Sequence, residues 1–151
     1  QLKSRIKLIK DAGVPVGLGT HEPETMLRAE AEDWGADFYM TCLYNARKTQ
    51  RGQQSGFITG KHKELVFYPD DRFLMFDAIR QVSKPCIAFK IFAGGQIFCG
   101  KPAEQAPALA EAAFRETFEN IKPIDLACIG VFQKYKDELR ENTDIVKRIF
   151  S

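Results

Sequence analysis

The sequence predicts an α/β fold of four βα units preceded by the end of a helix, which is half of an eight-stranded (β/α)8 TIM barrel. Two observations carry this. The period of the apolar residues switches repeatedly between two and about 3.6, always strand before helix. The strand-length runs are also apolar on alternate and intervening positions alike, as expected of a parallel sheet with both faces covered.

The elements follow in order. Leu2, Ile6 and Ile9 are spaced i, i+4, i+7 and stop at Gly13, so the chain opens in an amphipathic helix that ends on a left-handed glycine. The first strand is expected over 14–18. Gly19 and Thr20 turn into a helix with Pro23 in its first turn, with Met26, Leu27, Ala31 and Trp34 on one face, closed by Gly35. The second strand spans 37–43 and gives way to Tyr44-Asn45. A polar stretch from Ala46 to about Pro69 carries Arg47, Lys48, Arg51, Lys61 and Lys63, and it exceeds the usual length of a connection, so it reads as a lid or a solvated insertion. The next helix covers 70–83, with Met75, Ala78, Ile79 and Val82 on its apolar side. Pro85 introduces a third strand over 86–92, followed by Ala93-Gly94-Gly95 and a helix from about Ala106 with Phe114, Phe118 and Ile121 at i, i+4, i+7. The fourth strand is expected over 126–131. The last helix runs from Lys136 to the end, with Leu139, Val146 and Ile149 on its apolar face. The chain thus reads as a single partial domain over 1–151, with a long loop at about 46–69. An open sheet of this kind leaves two unpaired edges, to be closed by a further half-barrel or by a second copy. A small flavodoxin-like sheet uses the same alternation and is the structural alternative.

The 151 residues are 44% hydrophobic and 28% charged, the balance of a globular chain with a core, which excludes disorder and low complexity. Net charge is 22 − 20 = +2, so no whole-molecule field recommends nucleic acid or membrane as a partner, and a small-molecule ligand is expected. No apolar run approaches the ~20 residues of a membrane span, and the first residues lack the pattern of a secretory signal, so the expected location is cytoplasmic. Cys42, Cys86 and Cys128 each sit in an apolar stretch and read as buried free thiols. With only His21 and His62 and no CxxC or HxxxH spacing, no metal site is expected.

In parallel α/β folds the chemistry lies at the carboxyl ends of the strands. The residues there are Thr20 and His21, Thr41 to Asn45, Lys90 to Gly95, and Gly130 to Tyr135. Thr20 or His21 also suits a helix cap, and Tyr44-Asn45 a simple turn. Lys90, between Phe89 and Ile91, must find a counter-ion, bind an anion or lose its charge. Gly94-Gly95 permits close backbone approach to a ligand such as phosphate. Met26, Met40 and Met75 read as core.

Taken together, these segments resemble the aldo/keto reductase superfamily. Gly17-Leu18-Gly19-Thr20-His21-Glu22-Pro23-Glu24 is similar to its GxSNxxPE-like segment, and Asp37 with Tyr44-Asn45 to its DxxQxxYN strand. Lys90-Ile91-Phe92-Ala93-Gly94-Gly95 resembles the KPLAGG variant, and Gly130 with Glu138, Leu139, Glu141 and Asn142 the closing G…EELxEN segment. The resemblance implies the C-terminal half of the barrel, strands five to eight, and NADP(H) as cofactor. It implies that Thr20 and His21 hold the carboxamide, that Thr41 stands for the usual Gln, and that Phe89 is the stacking aromatic. Lys90, Ile91, Phe92, Gly94 and Gly95 would line the pyrophosphate, Lys134 or Lys136 would meet the 2′-phosphate, and Glu141 and Asn142 would face adenine. Thr-His replaces Ser-Asn here, Thr41 replaces Gln, and the closing loop is longer. The family's catalytic Asp, Tyr, Lys and His belong to the first four strands, so no catalytic residue is assigned in this chain.

Two other readings stand beside this one. The run Phe89-Lys90-Ile91-Phe92-Ala93 also resembles the lysine strand of class I 2-keto-acid aldolases, which implies a Schiff base on Lys90, its amine activated by desolvation. A degenerate, non-catalytic barrel that binds a partner through the 46–69 loop is the third.

Overall fold

A computed structural model describes residues 1–44 and 68–151. Its centre is a four-stranded sheet in the order β1-β2-β3-β4. The strands are β1 (Gly17–Thr20), β2 (Phe38–Cys42), β3 (Cys86–Phe89) and β4 (Leu126–Cys128), and every neighbouring pair is parallel. Around them lie α1 (Leu2–Asp11), α2 (Pro23–Ala31), α3 (Asp71–Gln81), α4 (Ala106–Asn120) and α5 (Glu138–Phe150). The expected 46–69 loop, with Asn45 and its basic residues, lies outside the described residues except for its last two, Tyr68 and Pro69.

Each helix touches the next one along the chain. The Lys3 ammonium reaches the Glu32 carboxylate beyond α2 at 3.7 Å, and Ser83 just after α3 donates its N–H to Glu30 of α2 at 2.7 Å. Arg72 of α3 pairs with Glu116 of α4 at 2.6 Å, and Arg148 of α5 with Glu111 of α4 at 3.3 Å. Helices that follow one another beside strands that follow one another form a singly wound layer pair, as right-handed crossovers require when the strand order never reverses. The flavodoxin-like alternative needs such a reversal, and the described sheet has none. The architecture is α/β, compatible with half of a β/α barrel.

The core lies between sheet and helices. Leu18, Tyr39, Thr41, Cys86 and Ala88 point to one side and are buried; Met26 and Ala29 of α2 and Met75, Phe76 and Ile79 of α3 complete the core there. The opposite row, Gly19–Met40–Ile87–Leu126, is aligned by the strand register. It is only partly covered, and Leu126 is 61% exposed. The expectation of two covered faces is therefore corrected: an apolar composition records what a face is made of, and burial depends on a neighbour. Cys128 is exposed for the same reason, because β4 is an edge strand, whereas Cys42 and Cys86 are buried as expected. Met26 and Met75 are core, but Met40 lies half-exposed on the open face.

Several boundaries move for local reasons. β1 begins at Gly17 rather than Val14, since Pro15 has no N–H to give a ladder and the first partner in register is Phe38. β3 stops at Phe89 because Lys90 adopts φ +61°, which no extended strand accommodates. β4 stops at Cys128, opposite Phe89, where its partner strand ends. Gly13 does supply the left-handed residue beyond α1, with φ +78°. α2 ends at Ala31, before Gly35, and buries Ala29 where the periodicity pointed to Ala31. In α5 the buried residue is Ile145, while Leu139 is exposed.

The amino ends of the strands carry a repeated device. Asp37, leading into β2, accepts the Val16 N–H at 2.8 Å and pairs with Lys10 at 3.0 Å. Asp125, leading into β4, accepts the N–H of Cys86 at 2.7 Å and of Lys122 at 2.8 Å, with the Lys122 ammonium at 3.1 Å. Each aspartate satisfies an amide at the start of the preceding strand. Among the described residues no helix is long and apolar enough to cross a membrane.

Candidate binding cleft at the carboxyl ends of the strands

Beyond β3 and β4 the chain leaves a cleft of about 980 Å³. Its wall on one side is the turn after β3. Lys90 at φ +61°, Ala93 at φ +52°, Gly94 at φ +65° and Gly95 at φ +90° place most of this turn in the left-handed region, which is costly for lysine and alanine and free for glycine. A Cβ built on Gly94 or Gly95 meets nothing within 4 Å, so the space beside the turn is open. The turn is held by its own backbone: Ala93 N–H donates to the Lys90 carbonyl at 2.7 Å and Gly95 N–H to that of Phe92 at 2.8 Å.

The other wall is α5. Glu138, then Glu141 with Asn142, then Ile145 and Arg148 recur every three or four residues, so one helical face lines the cleft for much of its length. Asp137 caps this helix by accepting the Arg140 N–H at 3.0 Å, which with the Gln133 amide holds its carboxyl below the usual carboxylate range. Ala106, Pro107 and Ala110 of α4 supply small residues, and Phe92, Phe98 and Ile129 an apolar lining. Phe92 packs edge-on against both Phe98 and Phe114, with centroids 5.5 and 5.3 Å apart.

Of the residues singled out from sequence, Phe89, Lys90, Ile91, Phe92, Gly94, Gly95, Lys136, Glu141 and Asn142 line this one cleft. The others stand elsewhere. Thr20 holds a turn, its Oγ1 accepting the Glu22 N–H at 2.8 Å and donating to the Glu22 carbonyl at 3.1 Å. His21 packs its ring edge-on to Phe89 at 5.7 Å, beside the cleft lining. Thr41 is fully buried on the helix side of β2, while its neighbour Met40 reaches the cleft. Lys134 lies with its ammonium 5.2 Å from the Tyr135 ring centroid and is not among the lining residues. Sequence reasoning missed Arg148, and it named Glu138 in the closing motif and Phe132 within the strand-end stretch 130–135 without giving either a role in the site. Arg148 and Glu138 continue the spacing of Glu141 and Asn142 along α5; Phe132 left no periodic signal.

The cleft is balanced in charge, with Lys90, Lys136 and Arg148 against Glu138, Glu141 and Asp144. Lys136 pairs with Glu141 at 2.6 Å. An anionic ligand would therefore be held by local donors, the open glycine turn and these three cations, with no long-range field behind them. Apolar walls, a glycine turn with clear space beside it and cations at separate points are features of a small-molecule cleft. Among the described residues no cluster of His, Cys, Asp and Glu is arranged to hold a metal ion. Comparison of the chain with protein-family models, with curated proteins and with solved structures finds no match.

Proposed function

We propose that this chain is the cofactor-binding half of an aldo/keto reductase-like barrel and that its cleft takes NADP(H). The observation that supports the reading is the convergence of two distant segments, Phe89 to Gly95 and Lys136 to Asn142, on one cleft. The resemblance assigns both segments to a single dinucleotide. In this reading the glycine turn and Lys90 bind the pyrophosphate, and Lys136 meets the 2′-phosphate when it exchanges Glu141 for the ligand. Phe89, at the open face of the sheet, lies against the nicotinamide. The bound cofactor supplies hydride chemistry toward a carbonyl, and the proton donor comes from strands outside this chain. Thr41, buried on the far side of β2, makes no carboxamide contact in this scheme.

Titration with NADPH, followed by the cofactor's own fluorescence, tests it. Trp34 lies at the amino ends of the strands and is a poor reporter. Saturable binding that weakens about tenfold in Lys136→Ala supports the reading, as expected for one charge-assisted contact to phosphate. An absence of response up to millimolar NADPH overturns it.

A second reading rests on Lys90, a lysine in left-handed backbone at a strand end and on the cleft wall. As a Schiff-base amine it would be trapped by borohydride in the presence of pyruvate, adding mass at Lys90. An unmodified protein removes this reading.

A further inference from the structure

The rim of the cleft carries an exposed aromatic ring that the proposed contacts leave unused. Phe132 is 62% exposed and lines the cleft, as does Asn142. A large apolar ring facing water in a concave site gains most from a planar partner laid against it.

The backbone of the loop that carries the ring is tied to α5. Its backbone N–H donates to the Glu138 carboxylate at 2.6 Å. The following residue, Gln133, accepts the Leu139 N–H at 3.2 Å and donates to Asp137 at 3.2 Å, which ties the loop to the start of α5. The Tyr135 ring, 6.0 Å away and tilted by 59°, flanks Phe132. Such fixing lowers the entropy that binding must offset. One helical turn beyond Glu138 on the same cleft wall, the Asn142 side chain offers donor and acceptor side by side, and the Glu141 carboxylate an acceptor, the complement of an aminated nitrogen heterocycle.

From this the geometry points to Phe132 as a stacking residue for the purine end of the bound nucleotide, with Asn142 reading its edge. The inference rests on the dinucleotide reading above and adds to it a contact that the resemblance does not contain.

The test uses the whole chain and three probes: NADPH, 2′,5′-ADP, which lacks the nicotinamide, and reduced nicotinamide mononucleotide, which lacks the purine. Base stacking on an aromatic side chain corresponds to roughly a tenfold change in affinity. Phe132→Ala is therefore expected to weaken NADPH and 2′,5′-ADP by about that factor, to leave the mononucleotide unchanged, and to be rescued by Phe132→Trp. Because the ring is exposed, the melting temperature of Phe132→Ala should match that of the parent. Unchanged 2′,5′-ADP binding in Phe132→Ala, or an equal loss for the mononucleotide, overturns the stacking and leaves the cofactor reading standing. A parent chain that binds none of the three probes overturns both.

Discussion

At the scale of single residues, the open face of the sheet shows how closely a small side chain can be dictated by its neighbour. A Cβ placed on Gly17 would collide with the ring of Phe38, its partner in register, so that ring occupies the space a side chain would need. Gly17→Ala must push that ring aside. We expect a loss of about 1 kcal/mol in chemical denaturation, at the low end for overpacking because a half-exposed ring is free to swing. In a Phe38→Ala background the same change should have almost no effect, and a full penalty there would show that the cause is backbone rather than ring. The same scale explains why some site residues were readable and others not. Glycines, and a lysine among apolar residues, announce themselves in a sequence. The side to which a strand residue points does not, and a difference of one position separates Met40 in the cleft from Thr41 in the core.

At the scale of elements, two polar anchors hold the amino ends of the strands, and both have measurable consequences. Asp125 is buried and serves two amides and an ammonium, while Asp37 does comparable work in an exposed position. Removing Asp125 leaves buried donors unsatisfied, so Asp125→Ala should cost about 3 kcal/mol and Asp37→Ala distinctly less, measured by urea unfolding. Equal losses would mean that burial is not what separates them. Glu30 of α2 is a further anchor, which holds Ser83 after α3. Burial by itself raises its pKa, but the Ser83 hydroxyl and N–H, the Tyr39 hydroxyl and the Lys84 ammonium outweigh that and bring it down to about 2. A carboxylate depressed in the folded state adds stability above its unfolded pKa, and that contribution disappears as pH falls through about 4.5 toward 2. Glu30→Gln should therefore destabilise the protein by about 2 kcal/mol at neutral pH and by much less near pH 2, flattening the acid limb of the stability curve. A parallel shift at all pH values would contradict this. None of these three contacts was visible in the sequence, because each depends on which distant segments meet. The order and type of elements were visible, since apolar period and Gly/Pro punctuation are local properties.

At the scale of the molecule, sequential parallel strands with helices in one layer leave a sheet with one apolar face and two edges that no described element pairs. Sequence patterning could not reveal this, because a strand destined for an open face and one destined for a covered face carry the same apolar residues. The net charge of +2 provides little repulsion between copies. On β4, Leu126 at 61% exposure continues the row of Met40 and Ile87 to the edge. An exposed apolar edge strand of this kind is a template for pairing. The chain should accordingly show a sedimentation coefficient that rises with concentration, and Leu126→Lys, which places a charge on the pairing edge without touching the helix-side core, should suppress that rise. Since β4 also forms part of the cleft through Cys128, the proposed NADP(H) binding predicts that NADPH competes with self-association in the parent chain. Sedimentation that is independent of concentration in both proteins would show that the edge is satisfied by the chain itself.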